Sequence, residues 1–464
     1  MLIREAELLD GRIVDLRIAE GHIAELAPSL PHRADEPLIE AQGGLLLPGL
    51  HDHHLHLYSL AAALDSVPCG PPQVRDREQL RAQLQAGARA LAPGEWLRGT
   101  GYHESVAGEL DRAALDALLP DRPLRIQQRS GRLWLLNSAA LAQLEAANGD
   151  DPLERVDGRA TGRLYDADDW LRTRLPRRPR SLARASRLLA SQGVTGVTDT
   201  TPHNDLAAAA DGFAAAQASG ELRQRLMLMG DASLDALVDT PQLLRGAHKF
   251  HLHDHELPDF DALCADIRRA HAAGRGAAFH CVSRTDLVYA LQALCEAGVR
   301  AGDRIEHASV LPPELLEQVR ALRLTVVTQP HFIAERGDEY LSEVAAEDQP
   351  WLYRLRSLLD AGIPLAGGSD APFGAPDPWA AMQAAVTRRT RGGQFVAAEE
   401  ALSPEQALAL FTGAAAQPGG APRMIERGAV ADLCLLEQAW RALRPDLAAA
   451  RVRWVVRDGE PIYS

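Results

Sequence analysis

Eight short apolar segments, separated by segments with helical periodicity, recur between about residue 45 and residue 370. Such alternation is typical of a parallel α/β sheet, in which each crossover helix returns the chain to the same end of the sheet. Eight units is also the number that closes a (β/α)8 TIM barrel. We therefore predict an α/β barrel whose strands are residues 45–51, 194–199, 224–230, 247–253, 277–282, 303–308, 324–329 and 364–370.

The rest of the chain predicts two further units. Both ends have short alternating segments with glycine-containing turns, which is the pattern of antiparallel strands. We expect residues 1–47 and 425–464 to form one composite β-sandwich, and residues 48–64 with 191–424 to form the barrel. Residues 65–190 are too many for a loop within a compact domain, and we interpret them as an inserted α/β subdomain over the barrel mouth.

Composition excludes several classes of protein. The formal net charge of −14 is the opposite of the basic surface of nucleic-acid-binding proteins. The five cysteines are scattered without a CxxC pair, which argues against a disulfide framework and favours a reducing compartment. No stretch reaches the roughly 20 apolar residues of a membrane helix, and no secretory leader is recognisable. We expect a cytoplasmic protein that acts on a small-molecule substrate.

Metal-ligand side chains occur at the ends of five predicted strands, which is where barrel enzymes place their catalytic groups. In the histidine run of the first strand, residues two apart share a face, so that either His54 with His56 or His51 with His53 could bind one ion. Histidine and carboxylate ligands are typical of zinc and similar divalent metals. The ligand candidates at the other strand ends are Lys249, His280, His307 and Asp370.

Lys249 is the only lysine among the 49 lysine and arginine residues. Arginine cannot replace lysine in chemistry that needs a free amine, because the guanidinium group does not lose its proton in proteins. Two such uses are a Schiff base and carbamylation by carbon dioxide, which converts the amine into a carboxylate-like metal ligand. We expect a carbamylated Lys249 to bridge two divalent ions, one held by His54, His56 and Asp370 and the other by His280 and His307.

Asp370 has a second predicted role, as the catalytic acid and base. A metal ion lowers the pKa of its bound water to about 7 and so provides hydroxide at neutral pH. Asp370 is the natural acceptor of the proton released when this metal-bound hydroxide forms, and then its donor to a leaving nitrogen. Its position before Ala371 and Pro372 is also a helix start signal, and the two roles are compatible.

Several sequence phrases together resemble the amidohydrolase superfamily. They are residues 48–56 (PGLHDHHLH), 304–308 (RIEHA), 329–331 (QPH) and 367–372 (GGSDAP), together with Lys249 and His280. The phrases at 99–103 and 158–162 are similar to those of the branch with a large insertion after the first strand, which includes N-substituted formamide deformylases.

The resemblance implies a divalent metal, usually zinc, and hydrolysis of C–N bonds in amides or cyclic amides. It also selects His54 and His56 as ligands over His51 and His53. A homodimer is a further expectation from the family.

The substrate does not transfer with the resemblance, because residues that line such pockets differ. After the fifth strand this chain has Ser283-Arg284-Thr285 where the branch usually has Gly-Asp-Arg. Arg284 and Arg132 are candidates to clamp a substrate carboxylate, since arginine presents two parallel donors. His331, just after the seventh strand, is a candidate to form a hydrogen bond with the substrate.

Three other functions are compatible with this fold. One is a deaminase of a heterocyclic amine, which normally has one metal and no bridging lysine. Another is a non-catalytic barrel that binds a ligand, although the complete set of ligands argues against it. A third is a lyase that forms a Schiff base on Lys249. The number of metal ions bound per chain separates the first from the predicted binuclear hydrolase.

Overall fold

The computed structural model describes residues 1–144, 151–175, 181–252, 254 and 256–464. Its largest sheet has eight parallel strands whose order follows the chain. The predicted fold class, a (β/α)8 barrel with a terminal β-sandwich and an inserted α/β subdomain, is confirmed. The barrel strands are β1 (Leu50–Leu55), β2 (Val194–Asp199), β3 (Arg225–Gly230), β4 (Leu243–His251), β5 (Ala277–Cys281), β6 (Arg304–His307), β7 (Thr325–Thr328) and β8 (Leu365–Gly367).

The predicted position of the first barrel strand, residues 45–51, is wrong. Leu46–Pro48 is a separate strand that pairs with Leu433–Leu436 in a terminal sheet, and β1 begins at Leu50. The chain passes between the sheets at Gly49, where a side chain would come within 2.2 Å of Thr195. Barrel strands are buried on both faces and are usually apolar. In β1 several of the buried residues are histidines, so the bounds of this strand could not be recognised from apolar residues.

The barrel closes between β1 and β8. The Asp370 amide donates a hydrogen bond of 2.7 Å to the carbonyl of His54, and the His56 amide donates one of 2.9 Å to the carbonyl of Ala371. The Asp52 side chain adds a third link, because its Oδ1 accepts a 2.9 Å hydrogen bond from the Ser369 amide. These links fix the loop after β8 beside the end of β1.

Helices follow the barrel strands and are started by local capping residues. For example, the helix after β5 has a capping box in which Ser283 and Asp286 each accept a hydrogen bond from the other's amide. No helix in the described ranges is both long and apolar enough to span a bilayer. The α-helices of this part are Ala183–Ser191, Ala215–Ala218, Phe260–Ala272, Arg284–Ala297, Pro313–Ala321, His331–Glu343, Arg356–Asp360, Pro378–Thr387 and Pro404–Thr412, with a π-helix at Ala208–Ala214 and 3-10 turns at Ala232–Ala236, Gln349–Trp351 and Ala398–Glu400.

The two ends of the chain form two four-stranded sheets. Alternating apolar residues from both sheets, including Leu16, Leu433 and Val456, share one buried cluster. The first sheet contains Leu2–Glu7, Ile13–Ala19, His22–Ala27 and Leu38–Glu40, and the second contains Leu46–Pro48, Leu433–Leu436, Val452–Arg457 and Glu460–Tyr463. A short helix (Trp440–Leu443) and a 3-10 turn (Leu447–Ala449) connect strands of the second sheet.

The chain divides into two compact units, residues 1–57 with 181–464 and residues 58–180. The second unit has its own buried clusters, one of them around Leu80, Leu124 and Ile126. Its mixed six-stranded sheet contains Val67–Pro68, Leu97–Tyr102, Leu124–Gln128, Leu133–Leu136, Leu153–Val156 and Arg159–Tyr165, and its helices are Arg77–Arg89, Glu104–Ala107, Arg112–Asp116, Ser138–Gln143 and Asp168–Arg174. The helix Leu57–Leu64 leads into this unit.

Gly368 tests the close approach of β8 to β1. A Cβ atom at this position would lie 2.5 Å from the Cβ and 2.6 Å from the amide nitrogen of His54. We expect Gly368→Ala to lower the free energy of unfolding by about 1–3 kcal/mol, the usual cost of overpacking. Gly413→Ala is the matched control, since its Cβ would come no closer than 3.7 Å to any atom outside its own chain neighbours. Equal chemical denaturation curves for the two variants would contradict this prediction.

Candidate metal centre

The barrel brings the predicted ligands to one edge of its sheet. His54 and His56 stand at the end of β1, Lys249 in β4 and His280 in β5. His307 ends β6, and Asp370 follows β8 by three residues. Most of them are buried, with exposed fractions of 1% for His54, 2% for His307, 5% for Lys249 and 7% for Asp370.

Asp370 lies closest to the histidines of β1. Its Oδ1 is 3.4 Å from Nε2 of His54 and 3.2 Å from Nε2 of His56. Ligand atoms of His54, His307 and Asp370 all lie within 4.8 Å of one another. Zinc binds nitrogen and oxygen ligands at about 2.0–2.2 Å, so atoms this close can bind one ion or two adjacent ions after small side-chain adjustments.

The remaining ligand candidates continue from this group. The ring centroid of His307 is 4.7 Å from that of His54 and 4.4 Å from that of His280. The charges of Glu306 and Asp370 act on the ammonium of Lys249. The structure therefore brings all six predicted ligands to one region at the strand ends, where His56 and His280 are half-buried and the other four are buried.

Among the candidate ligands, two buried nitrogen atoms lack a hydrogen-bond partner in the described part of the chain, which supports a metal in this region. They are Nε2 of His307 and Nζ of Lys249. Buried polar atoms are nearly always paired, so each exception calls for a ligand. Nδ1 of His307 lies 2.8 Å from the side-chain oxygen of Gln329 and donates to it, which leaves a lone pair on Nε2. That is the form in which histidine binds a metal.

Glu306 orients the first ligand. Its Oε2 lies 2.6 Å from Nδ1 of His54, and its other oxygen contacts Nε of Arg304. The carboxylate is fully buried. It holds a proton on Nδ1 of His54 and directs Nε2 towards Asp370, as carboxylates do behind metal-binding histidines.

The charges around His54 favour a cation. Although burial opposes it, Glu306 and Asp370 raise the pKa of His54. Burial also opposes the ionisation of Asp370, but hydrogen bonds from His54 and His56 hold the pKa of its carboxyl well below the usual range. Burial, reinforced by His54, lowers the pKa of His307 to about 3, so that this side chain stays neutral. A divalent ion between these groups would replace the proton on Nε2 of His54.

Two of these ligands have strained backbones. His307 and Asp370 have φ angles of 70° and 51°, in the left-handed region that residues other than glycine rarely occupy. Such strain costs about 1–3 kcal/mol per residue and concentrates at functional sites. In a regular strand Glu306 and His307 would point to opposite faces, whereas here both contact His54.

Sequence reasoning missed the residues that support the ligands. Glu306 stands inside the RIEHA phrase, but alternation placed it on the face opposite His307. Gln329 contacts His307, and Thr201 Oγ1 lies 2.9 Å from Nδ1 of His56. A histidine that binds a metal needs a hydrogen-bond partner on its second ring nitrogen. Polar residues at neighbouring strand ends could therefore have been predicted as such partners.

The predicted substrate-binding residues lie in different surroundings. His331 is buried, with Nε2 donating to the carbonyl of Ser369 at 3.0 Å and Nδ1 unpartnered among the described residues. Arg284 forms an ion pair with Asp348 and lies above the ring of Trp351.

Arg132 belongs to the compact unit of residues 58–180, where it forms a bidentate pair with Asp166. Both arginines thus already have a carboxylate partner within the chain. Their role in substrate binding stays a prediction.

Comparison with known proteins agrees with a barrel of the metal-dependent hydrolase class. A metal-dependent hydrolase from Pyrococcus horikoshii, itself uncharacterized, superimposes with a TM-score of 0.75 over 100% of this chain and 99% of its own, at 20% identity. The YtcJ amidohydrolase of Bacillus subtilis is 25% identical over 424 residues, covering 81% of this chain and 80% of its own. The N-substituted formamide deformylase of Arthrobacter pascens is 26% identical over 474 residues, covering 87% of this chain and 85% of its own.

The sequence profile described as "Amidohydrolase family" matches residues 38–463. The chain belongs to the amidohydrolase family. It is an enzyme that hydrolyses carbon–nitrogen bonds, and the predicted resemblance is confirmed.

Glu306→Gln tests the orientation of His54. Loss of the carboxylate charge leaves the Nδ1 proton of His54 less firmly held and Arg304 without its buried partner, so zinc affinity should fall about 10–100-fold, as for other residues behind metal ligands. Competition with a chromophoric chelator measures this change. Glu317→Gln is the control, because Glu317 forms an exposed pair with Arg320 in a helix outside the ligand set. Zinc affinity equal to that of the wild type would exclude the proposed orienting role.

Proposed function

We propose that this enzyme hydrolyses an amide, cyclic amide or related C–N bond of a small molecule. The observation that carries the proposal is the set of buried ligand atoms around Asp370, two of whose neighbours, His307 and Lys249, have an unpartnered nitrogen. Buried polar atoms are rarely left without a partner.

The residues fit two divalent metal ions, and zinc suits their nitrogen and oxygen ligands. His54, His56 and Asp370 would hold one ion, and His280 and His307 the other. A divalent ion supplies a Lewis acid that acidifies water and polarises a carbonyl group.

A carbamylated Lys249 would bridge the two ions. Burial lowers the pKa of Lys249 from its usual value of 10.5 to about 8, so that a neutral amine is available near physiological pH. This amine attacks carbon dioxide, a new C–N bond forms, and a proton leaves to give the anionic carbamate. The unpartnered Nζ supports this proposal, because carbamylation would convert this buried amine into a group that can bind metal ions.

Asp370 would move the proton. In its ionised form it can accept a proton from the water that attacks the carbonyl carbon. It would then donate the same proton to the nitrogen as the C–N bond breaks, releasing an acid and an amine. His331 would form a hydrogen bond with the substrate through Nδ1, because its Nε2 is already engaged with Ser369.

The substrates to test first are small amides. One relative is named an N-substituted formamide deformylase, which supports N-alkylformamides as one class of the panel. N-acyl amino acids and their carboxamides, hydantoins and cyclic imides extend it to other acyl groups and ring amides. Aminopyrimidines and aminopurines test the alternative of a deaminase, because they would release ammonia.

We expect a chelator to abolish amide hydrolysis and zinc to restore it. Asp370→Asn should lower kcat by roughly 10²–10⁴-fold, the usual contribution of general acid–base catalysis. Product amine is measured by derivatisation, and metal content is measured on the same samples. Asp266→Asn is the control, because Asp266 forms an exposed pair with Arg269 in a helix outside the ligand set. Full activity in the chelated protein would contradict the proposal, and ammonia release from the heterocycles without amide hydrolysis would replace it with deamination.

A further inference from the structure

The helix that follows β7 carries a cation that the proposed reaction does not use. Arg336 lies in the helix His331–Glu343, and its guanidinium carbon is 4.1 Å from the ring centroid of Phe332. Its Nη2 donates a hydrogen bond to the carbonyl of Phe373. Within the described part of the chain, no carboxylate forms an ion pair with this guanidinium. Its direct contacts among these residues are a ring face and a carbonyl oxygen.

Arg336 is anchored on the turn that carries Asp370. The amide of Phe373 donates a 2.8 Å hydrogen bond to the Asp370 carbonyl, and the ring of Phe373 stands edge-on to that of His56, with centroids 5.6 Å apart. Asp370 is also one of the charges that act on the guanidinium. The cation is thus held by the same turn that carries Asp370.

Arg336 also keeps donors available. Its side chain is partly exposed, and Nε and Nη1 form no hydrogen bond with any described residue. Arg284, by contrast, is paired with Asp348. A guanidinium presents parallel N–H groups that match the two oxygens of a carboxylate.

We propose that Arg336 binds a carboxylate of the substrate, so that the preferred substrates are amides or cyclic amides with an anionic group near the scissile C–N bond. The inference rests on the hydrolysis proposed above, and it adds that the substrate is negatively charged. A net charge of −14 repels anions from the protein as a whole. A cation beside Asp370 would provide the local attraction that such a substrate needs.

The test compares a charged and an uncharged probe of the same shape, benzoate and nitrobenzene, neither of which contains an amide bond that the enzyme could cleave. Both are titrated by calorimetry into the zinc-loaded full-length protein, so that no turnover is required. We expect the wild type to bind benzoate more tightly than nitrobenzene, and Arg336→Met to lose about tenfold or more of the benzoate affinity, as when one member of a charge pair is truncated. Arg336→Lys should recover part of the loss, because it keeps the charge without the paired donors.

Arg389→Met is the matched control. The Arg389 guanidinium lies 4.1 Å from the ring centroid of Phe395 and donates to the carbonyl of Gly393, which reproduces the contacts of Arg336 away from Asp370. We expect it to bind benzoate as the wild type does. Any direct contact of benzoate with zinc is common to all four proteins and cancels in the comparison.

Equal benzoate affinity in the wild type and Arg336→Met would overturn the inference and leave Arg336 as a support for the turn. A wild type without preference for benzoate over nitrobenzene would also overturn it. Failure of every amide in the panel to react, with the benzoate result as expected, would count against the proposed hydrolysis alone.

Discussion

Two backbone hydrogen bonds between the ends of β1 and β8 hold the metal centre together. Asp370 donates to His54 and His56 donates to Ala371, so the closing seam of the barrel is also the place where the carboxylate meets the two histidines. The seam is tight because Gly368 leaves room for the backbone of His54. Barrel closure and ligand geometry therefore depend on the same few atoms.

The buried charges near these two hydrogen bonds determine which ions the site can bind. Burying charges is costly unless they are paired, and Glu306 is paired with both Arg304 and His54. Lys249 has no such partner in the described part of the chain. In the proposed binuclear state the carbamate would turn this position from cationic to anionic, and two divalent ions would balance it together with Asp370. The unpartnered amine is thus consistent with a site completed by metals.

Much of the fold and the ligand set could be predicted because both leave local signals. Strand–helix alternation revealed seven of the eight barrel strands nearly in place, and metal-ligand residues at strand ends suggested the site. The first strand was misplaced because its buried positions are histidines, which carry no apolar periodicity. The role of Glu306 was missed because it depends on the left-handed backbone of His307, and that of Arg336 because it depends on a contact with Phe373. Neither the backbone conformation of His307 nor the contact of Arg336 with Phe373 can be recognised from the spacing of residues in the sequence.

The proposed binuclear centre depends on Lys249. The decisive measurement is the number of zinc ions bound per chain, determined by elemental analysis of the wild type and of Lys249→Arg purified side by side. We predict close to two ions in the wild type and a sharp fall in the variant, because arginine keeps the positive charge but cannot form the carbamate. One ion per chain, unchanged in the variant, would contradict a bridged pair of metals and leave a mononuclear site at His54, His56 and Asp370.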